Sequence, residues 1–175
     1  MAFCAWLTDR ERKIGRLGAA ETYRLPSDHE WSCAVGIGKQ EDAAKLPAQK
    51  DAMLQDVYPW GGAWPPPEKA GNYAGREVGP LVGKLQIKQL SDYQDGAIKA
   101  APVGSFGPNQ HSLYDLGGNL REWCADEYHS GRKLQRGGAW NTDSRDWLLS
   151  SRRWPVSAND GWDDCGFRVV LAPAP

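Results

Sequence analysis

A chain of 175 residues with 41% apolar and 25% charged side chains has the length and composition of a single globular domain, residues 1–175, with room for one buried core. Its formal net charge of -1 offers no basic field for neutralising phosphates, which excludes nucleic acid as a general partner. No apolar run approaches the about 20 residues needed to cross a bilayer, so no membrane partner is expected.

Nine Trp, twenty Gly and twelve Pro point to an architecture rich in ordered loops. The first residues lack the basic region and small-residue cleavage site of a secretory signal, which makes the cytoplasm the favoured compartment. Cys4, Cys33, Cys124 and Cys165 are widely spaced, with no C-x-x-C pair and no His at metal-ligand spacing. They are read as reduced, partly buried thiols, two disulfides being the alternative.

From Ala2 to Arg16, Phe3, Trp6, Leu7 and Ile14 follow helical spacing, which predicts an amphipathic helix with those residues inward. A second helix is predicted to start at Ser27, where Ser27 and Glu30 form a capping box after Pro26, and to end near Gly36 or Gly38. Tyr58 to Pro67 reads as an ordered loop, and Gln94-Asp95-Gly96 as a turn. The segments 113–123, 134–140 and 167–171 are the predicted strands of a small antiparallel sheet.

Six blocks stand in order along this frame: YRLPSDHEW from Tyr23, YPWG from Tyr58, APVGSF with a following PN from Ala101, LYDLGGNLREW from Leu113, RGGAW from Arg136 and GFRVV from Gly166. With these blocks the chain resembles the formylglycine-generating enzyme, or sulfatase-modifying factor, family over nearly its whole length. The resemblance implies an α+β, C-type-lectin-like fold: two helices, a small antiparallel sheet and long ordered loops. It also implies that the chain lacks the N-terminal part of the family domain.

The same resemblance carries cofactor expectations. It implies structural calcium at two places, one held by Asn72, Tyr73, Asp95 and Ala97 and the other by Asp115, Gly118, Leu120 and Glu122, with Tyr73, Ala97, Gly118 and Leu120 contributing backbone carbonyls. Without metal, Asp115 would cap a turn and Glu122 would pair with Arg136 or Arg168. The family's enzymes hold copper(I) on two cysteines, and Thr142 and Trp147 occupy those positions here. Ala139 stands for the active-site Ser and Arg121 for a Trp. Hydroxyl and indole groups are not copper(I) ligands, so no copper is expected.

What remains is a polar, aromatic insert between the RGGAW and GFRVV blocks. Trp140, Asn141, Asp143, Arg145, Trp147, Arg152, Arg153, Trp154, Asn159, Trp162 and Asp163 supply the Trp and Arg side chains that dominate binding hot spots. Trp140 and Trp147 are expected half-buried, Trp154 and Trp162 exposed. The sequence therefore predicts a calcium-stabilised module that binds a protein, peptide or carbohydrate; a related group in the family uses this region as a hypervariable face diversified by retroelements. The alternative is an oxidoreductase, either formylglycine-generating or a related iron-dependent oxygenase.

Overall fold

The structure, a computed structural model, describes residues 2–174. Helix α1 (Ala2–Lys13) docks through Cys4, Thr8 and Glu11, one residue per turn. Strand β1 (Glu21–Arg24) lies against it: the Thr8 hydroxyl donates to the Cys4 carbonyl (2.8 Å) and accepts from the Tyr23 amide (2.9 Å). The inward face predicted from Phe3, Trp6 and Ile14 is therefore wrong, and all three are exposed. A polar, hydrogen-bonded contact with β1 selected a face rotated about a quarter turn from the one expected.

Helix α2 (Asp28–Val35) begins where the sequence placed it. The Ser27 hydroxyl accepts from the Glu30 amide (3.1 Å), and the Glu30 carboxylate accepts from the Ser27 amide (2.7 Å). It stops at Gly36, whose φ of 101° only glycine adopts without strain. Two short helices, α3 (Pro47–Lys50) and α4 (Val82–Leu85), punctuate long loops.

A hairpin of β2 (Arg121–His129) and β3 (Arg132–Arg136) begins the main sheet. Strand β4 (Arg153–Val156) joins β3 antiparallel, and β5 (Cys165–Gly166) joins β2 in parallel, giving the order β4-β3-β2-β5. The last strand, β6 (Val170–Pro173), pairs instead with β1 as a separate two-stranded ribbon. The expected sheet is thus two, the larger one mixed. Leu113 to Leu120 belongs to a loop, because Asp115 and Asn119 adopt positive φ and Gly117 turns the chain.

The four-stranded sheet has two unlike faces, as the two-residue period of strands requires. Cys124, Leu134, Arg136 and Arg153 face α2, where Trp31, Val35 and Ile37 complete a core with Leu116. Arg121, Trp123, Gln135 and Trp154 lie on the other side. Gln135 stands directly opposite both Trp123 and Trp154.

Candidate ligand-binding site

On the α2 side the sheet closes a buried ion network that the sequence did not reveal. Asp28 accepts from Arg136, from Arg153 (3.0 and 2.9 Å) and from Lys50 (2.7 Å), while Glu41 takes Arg153 at 2.8 and 2.7 Å. Arg136 also lies over the Trp31 ring at 4.4 Å. Burial alone would push the Asp28 carboxyl up; Arg136, Arg153 and Lys50 outweigh it and hold it at about 2. Arg153, expected on the binding surface, is fully buried here and holds the frame together.

The opposite side carries the remaining aromatic and basic residues. Trp154, expected to be exposed, is half-buried, because its indole N–H donates to the Gly137 carbonyl at 2.9 Å. The exposed Trp147 ring meets it edge to face at 5.4 Å. Two guanidiniums approach the same indole, Arg121 at 4.8 Å and Arg152 at 5.4 Å from the ring centroid.

Arg121 and Asn141 (2.9 Å) both donate to Asp164. Burial would raise Asp164, but these hydrogen bonds keep it below the usual carboxylate range. The Cys165 thiol sits 3.2 Å from Asp164 Oδ1 and 3.5 Å from Gln135 Oε1, and burial followed by the Asp164 contact pushes it up. That thiol is held protonated rather than activated.

The other expected contact residues separate. Trp162, Asn159 and Asp163 are exposed, as is Arg145, which is spent on Tyr58 Oη (2.7 Å) and Asp56 (2.5 Å). Asp143 accepts from the Lys88 amide at 2.7 Å. Trp140 is buried, correcting the half-exposed expectation; its indole donates to the Asp163 carbonyl at 3.2 Å. At the positions matching the copper cysteines, the Thr142 hydroxyl is buried and accepts from the Ala139 amide at 2.8 Å, and Trp147 offers an indole. All four cysteines are free thiols, Cys4 and Cys124 buried, Cys33 exposed and Cys165 half-buried.

The two calcium sets fare differently. In the first, Asn72 Nδ2 donates to the Lys99 carbonyl (2.8 Å) and Asn119 Oδ1 (3.0 Å), which fixes the amide and leaves Asn72 Oδ1 buried with no partner. Asp95 accepts from the Tyr73 and Ala97 amides at 2.9 and 2.8 Å. Glu77, which sequence reasoning missed, keeps one buried oxygen unpartnered while the other accepts from the Gly96 amide at 2.6 Å. The Tyr73 carbonyl accepts from the Gly75 amide at 2.7 Å and both Asp95 oxygens are engaged, so the acceptors in this set that suit a hard cation are the unpaired oxygens of Asn72 and Glu77.

The second set does not fit. Both Glu122 oxygens are taken by Arg168, at 2.5 and 2.7 Å, and one also by the Trp31 indole at 2.9 Å. The Gly118 carbonyl accepts from the Leu120 amide at 2.9 Å, and Asp115 accepts from the Gly104 amide at 2.7 Å through Oδ2, its buried Oδ1 being left without a partner. The Arg168 pairing anticipated for a metal-free Glu122 is the one found. Among the described residues, no three His, Cys, Asp or Glu side chains converge as metal ligands, so a cation at the first set would draw on Asn72 and backbone carbonyls as well.

The profile of the sulfatase-modifying factor enzyme 1-like domain matches residues 1–173, and the chain belongs to that family. It is 26% identical to the inactive C-alpha-formylglycine-generating enzyme 2 of Bos taurus over 97% of this chain and 46% of that protein. It is 27% identical to the chaperone protein LppX of Paenibacillus barcinonensis over 86% of this chain and 50% of that protein. A formylglycine-generating enzyme of Thermomonospora curvata matches at 30% identity over 59% and 27%. The chain therefore spans about half the length of the first two relatives.

The solved structure of PvdO from Pseudomonas aeruginosa superposes with a TM-score of 0.59 at 21% identity, covering 99% of this chain and 58% of that one. Treponema denticola variable protein 1 superposes at 0.57 and 20% identity, over 88% and 49%. Both share the α+β, C-type-lectin-like fold. No helix among the described residues is long and apolar enough to cross a membrane.

Proposed function

We propose that the domain is a ligand-binding module of the sulfatase-modifying factor family that performs no formylglycine chemistry. Its contact surface is the side of the sheet carrying Trp147 and Trp154, extended by the exposed Trp162 two residues before Asp164, which holds Arg121. The observation that carries this is the fate of the two copper positions: one side chain is a buried hydroxyl spent on the Ala139 amide, the other an exposed indole packed on Trp154. An aromatic platform flanked by guanidiniums has the composition of a binding hot spot and lacks the thiolate pair that copper(I) requires.

Two relatives, each matched over most of this chain and about half of its own length, support the proposal by their names, an enzyme called inactive and a chaperone. The ligand is a protein, peptide or carbohydrate, and calcium at Asn72, Tyr73, Asp95 and Ala97 stabilises the loops that carry the frame.

The test is a peptide and glycan array probed with the purified domain, its Trp147→Ala and Trp162→Ala variants, and a parallel aldehyde assay on a Cys-containing peptide. Capture that both variants lose while keeping the wild-type melt supports the module. Aldehyde formation by the wild-type chain would refute it.

A further inference from the structure

We infer that the Trp154 face recognises a carboxylate, so that its ligand is an acidic peptide segment; this rests on the reading of that face as the binding surface. Three buried polar hydrogens lie unpaired along this side of the sheet: Arg121 Nε, Arg152 Nε and Gln135 Nε2. All three are donors. The two guanidiniums approach the same indole, and Gln135 is the fully buried residue paired across the strands with Trp154. A buried N–H without an acceptor is costly, so three such nitrogens on one surface leave a site defined by the acceptor it lacks.

The carboxylates already nearby are committed elsewhere. Asp164 takes Arg121 through Nη2, Asn141 and the Cys165 thiol. Asp51 accepts from the Arg153 amide at 2.8 Å and the Tyr128 hydroxyl at 3.1 Å, and lies 3.7 Å from Arg152. Among the described residues, the ion pair of the half-buried Arg152 is this long contact with Asp51. A planar guanidinium held against an aromatic face presents its fork edge-on, the geometry that a carboxylate meets with paired hydrogen bonds. Trp147 and Trp162 would then cover the apolar parts of the neighbouring residues.

The contrast with the rest of the molecule sharpens the assignment. On the loops around Asn72 and Glu77 the unpaired buried atoms are an amide and a carboxylate oxygen, which ask for a cation. On the Trp154 side they are nitrogens.

The experiment is an NMR titration that follows arginine Nε–H and tryptophan indole signals, with the diacid N-acetyl-glutamyl-glutamic α-amide, its glutaminyl-glutamine α-amide counterpart (the diamide) and inorganic phosphate as probes. The diacid is expected to shift Arg121 and Arg152 Nε–H saturably, while the diamide leaves them in place. Arg152→Gln should weaken the diacid about tenfold, the loss expected for one charge-assisted hydrogen bond. Arg152→Lys, which keeps the charge and loses the fork, guards against a folding artefact and should also weaken it.

Equal shifts from diacid and diamide, larger shifts from phosphate, or diffuse shifts over all exposed Lys and Arg would overturn the inference. If Arg152→Gln binds array ligands as well as wild type while Trp162→Ala does not, the carboxylate assignment fails and the binding face survives. If Trp147→Ala and Trp162→Ala both bind normally, the face itself is wrong.

Discussion

Arg152 and Arg153 are neighbours in the chain and do opposite things. Arg153 opens β4 facing α2, where Asp28, Glu41 and two backbone carbonyls occupy its donors. Arg152 lies on the far side against Trp154, with a buried Nε–H unpaired and its nearest carboxylate at 3.7 Å. A one-residue step along a strand reverses the face, and with it the role of an identical side chain. Saturation of a cation's donors marks it as scaffold, and a shortfall marks it as contact surface.

The largest test of that contrast is Asp28→Asn, which leaves Arg136, Arg153 and Lys50 buried without their shared carboxylate. It should cost about 3–5 kcal/mol in denaturant unfolding, because breaking a buried pair strands the remaining charge. A loss below about 1 kcal/mol would remove the network from the frame. Next is calcium, which extends the rule from donors to acceptors. At 100 times its Kd, calcium should raise unfolding free energy by about 2.7 kcal/mol, and Asp95→Asn should abolish the rise. A melt identical in chelator and in millimolar calcium would reject the site.

Acid comes third. Asp28 is held at about 2 against an ordinary 3.8, and Glu41 is lowered in the same network, although burial opposes both shifts. A depressed carboxylate contributes stability above its unfolded pKa and loses it as pH falls through the folded one. About 2 kcal/mol should therefore be present at neutral pH and disappear between about pH 4 and pH 2, read by urea melts. Smallest is Arg152→Gln, expected to change stability by under about 1 kcal/mol, while Trp162→Ala, at an exposed site, stays within about 0.5 kcal/mol. Both should weaken ligand capture.

Local chemistry was legible before the structure. The Ser27 and Glu30 capping box fixed the start of α2, Gly36 its end, and the ordered blocks fixed the family. What escaped needed partners distant in the chain. Arg153 looked like a surface cation because Asp28, its buried partner, lies in the first helical turn of α2. Trp140 looked half-exposed because nothing near it announces the Asp163 carbonyl that takes its indole. The inner face of α1 was misassigned because Thr8, bonded to β1, outweighed Phe3 and Trp6, which remain outside, Phe3 packed against Phe167 and Trp6 against Phe3. Glu77 had no signal beyond the Gly96 amide it meets through a turn.

The ion network also constrains the order of folding. Asp28 must wait for Arg136, 108 residues later, and for Arg153, 125 residues later, before its charge is matched. Contacts of such separation are slow to close because loop entropy is lost before any bond forms. During synthesis the segment bearing Asp28, Glu41 and Lys50 emerges long before its arginines, and its charges remain hydrated. The N-terminal third is then unable to settle alone. The sheet seals against α2 only when β4 has left the ribosome, so commitment to the native fold waits for the C-terminal side of this domain.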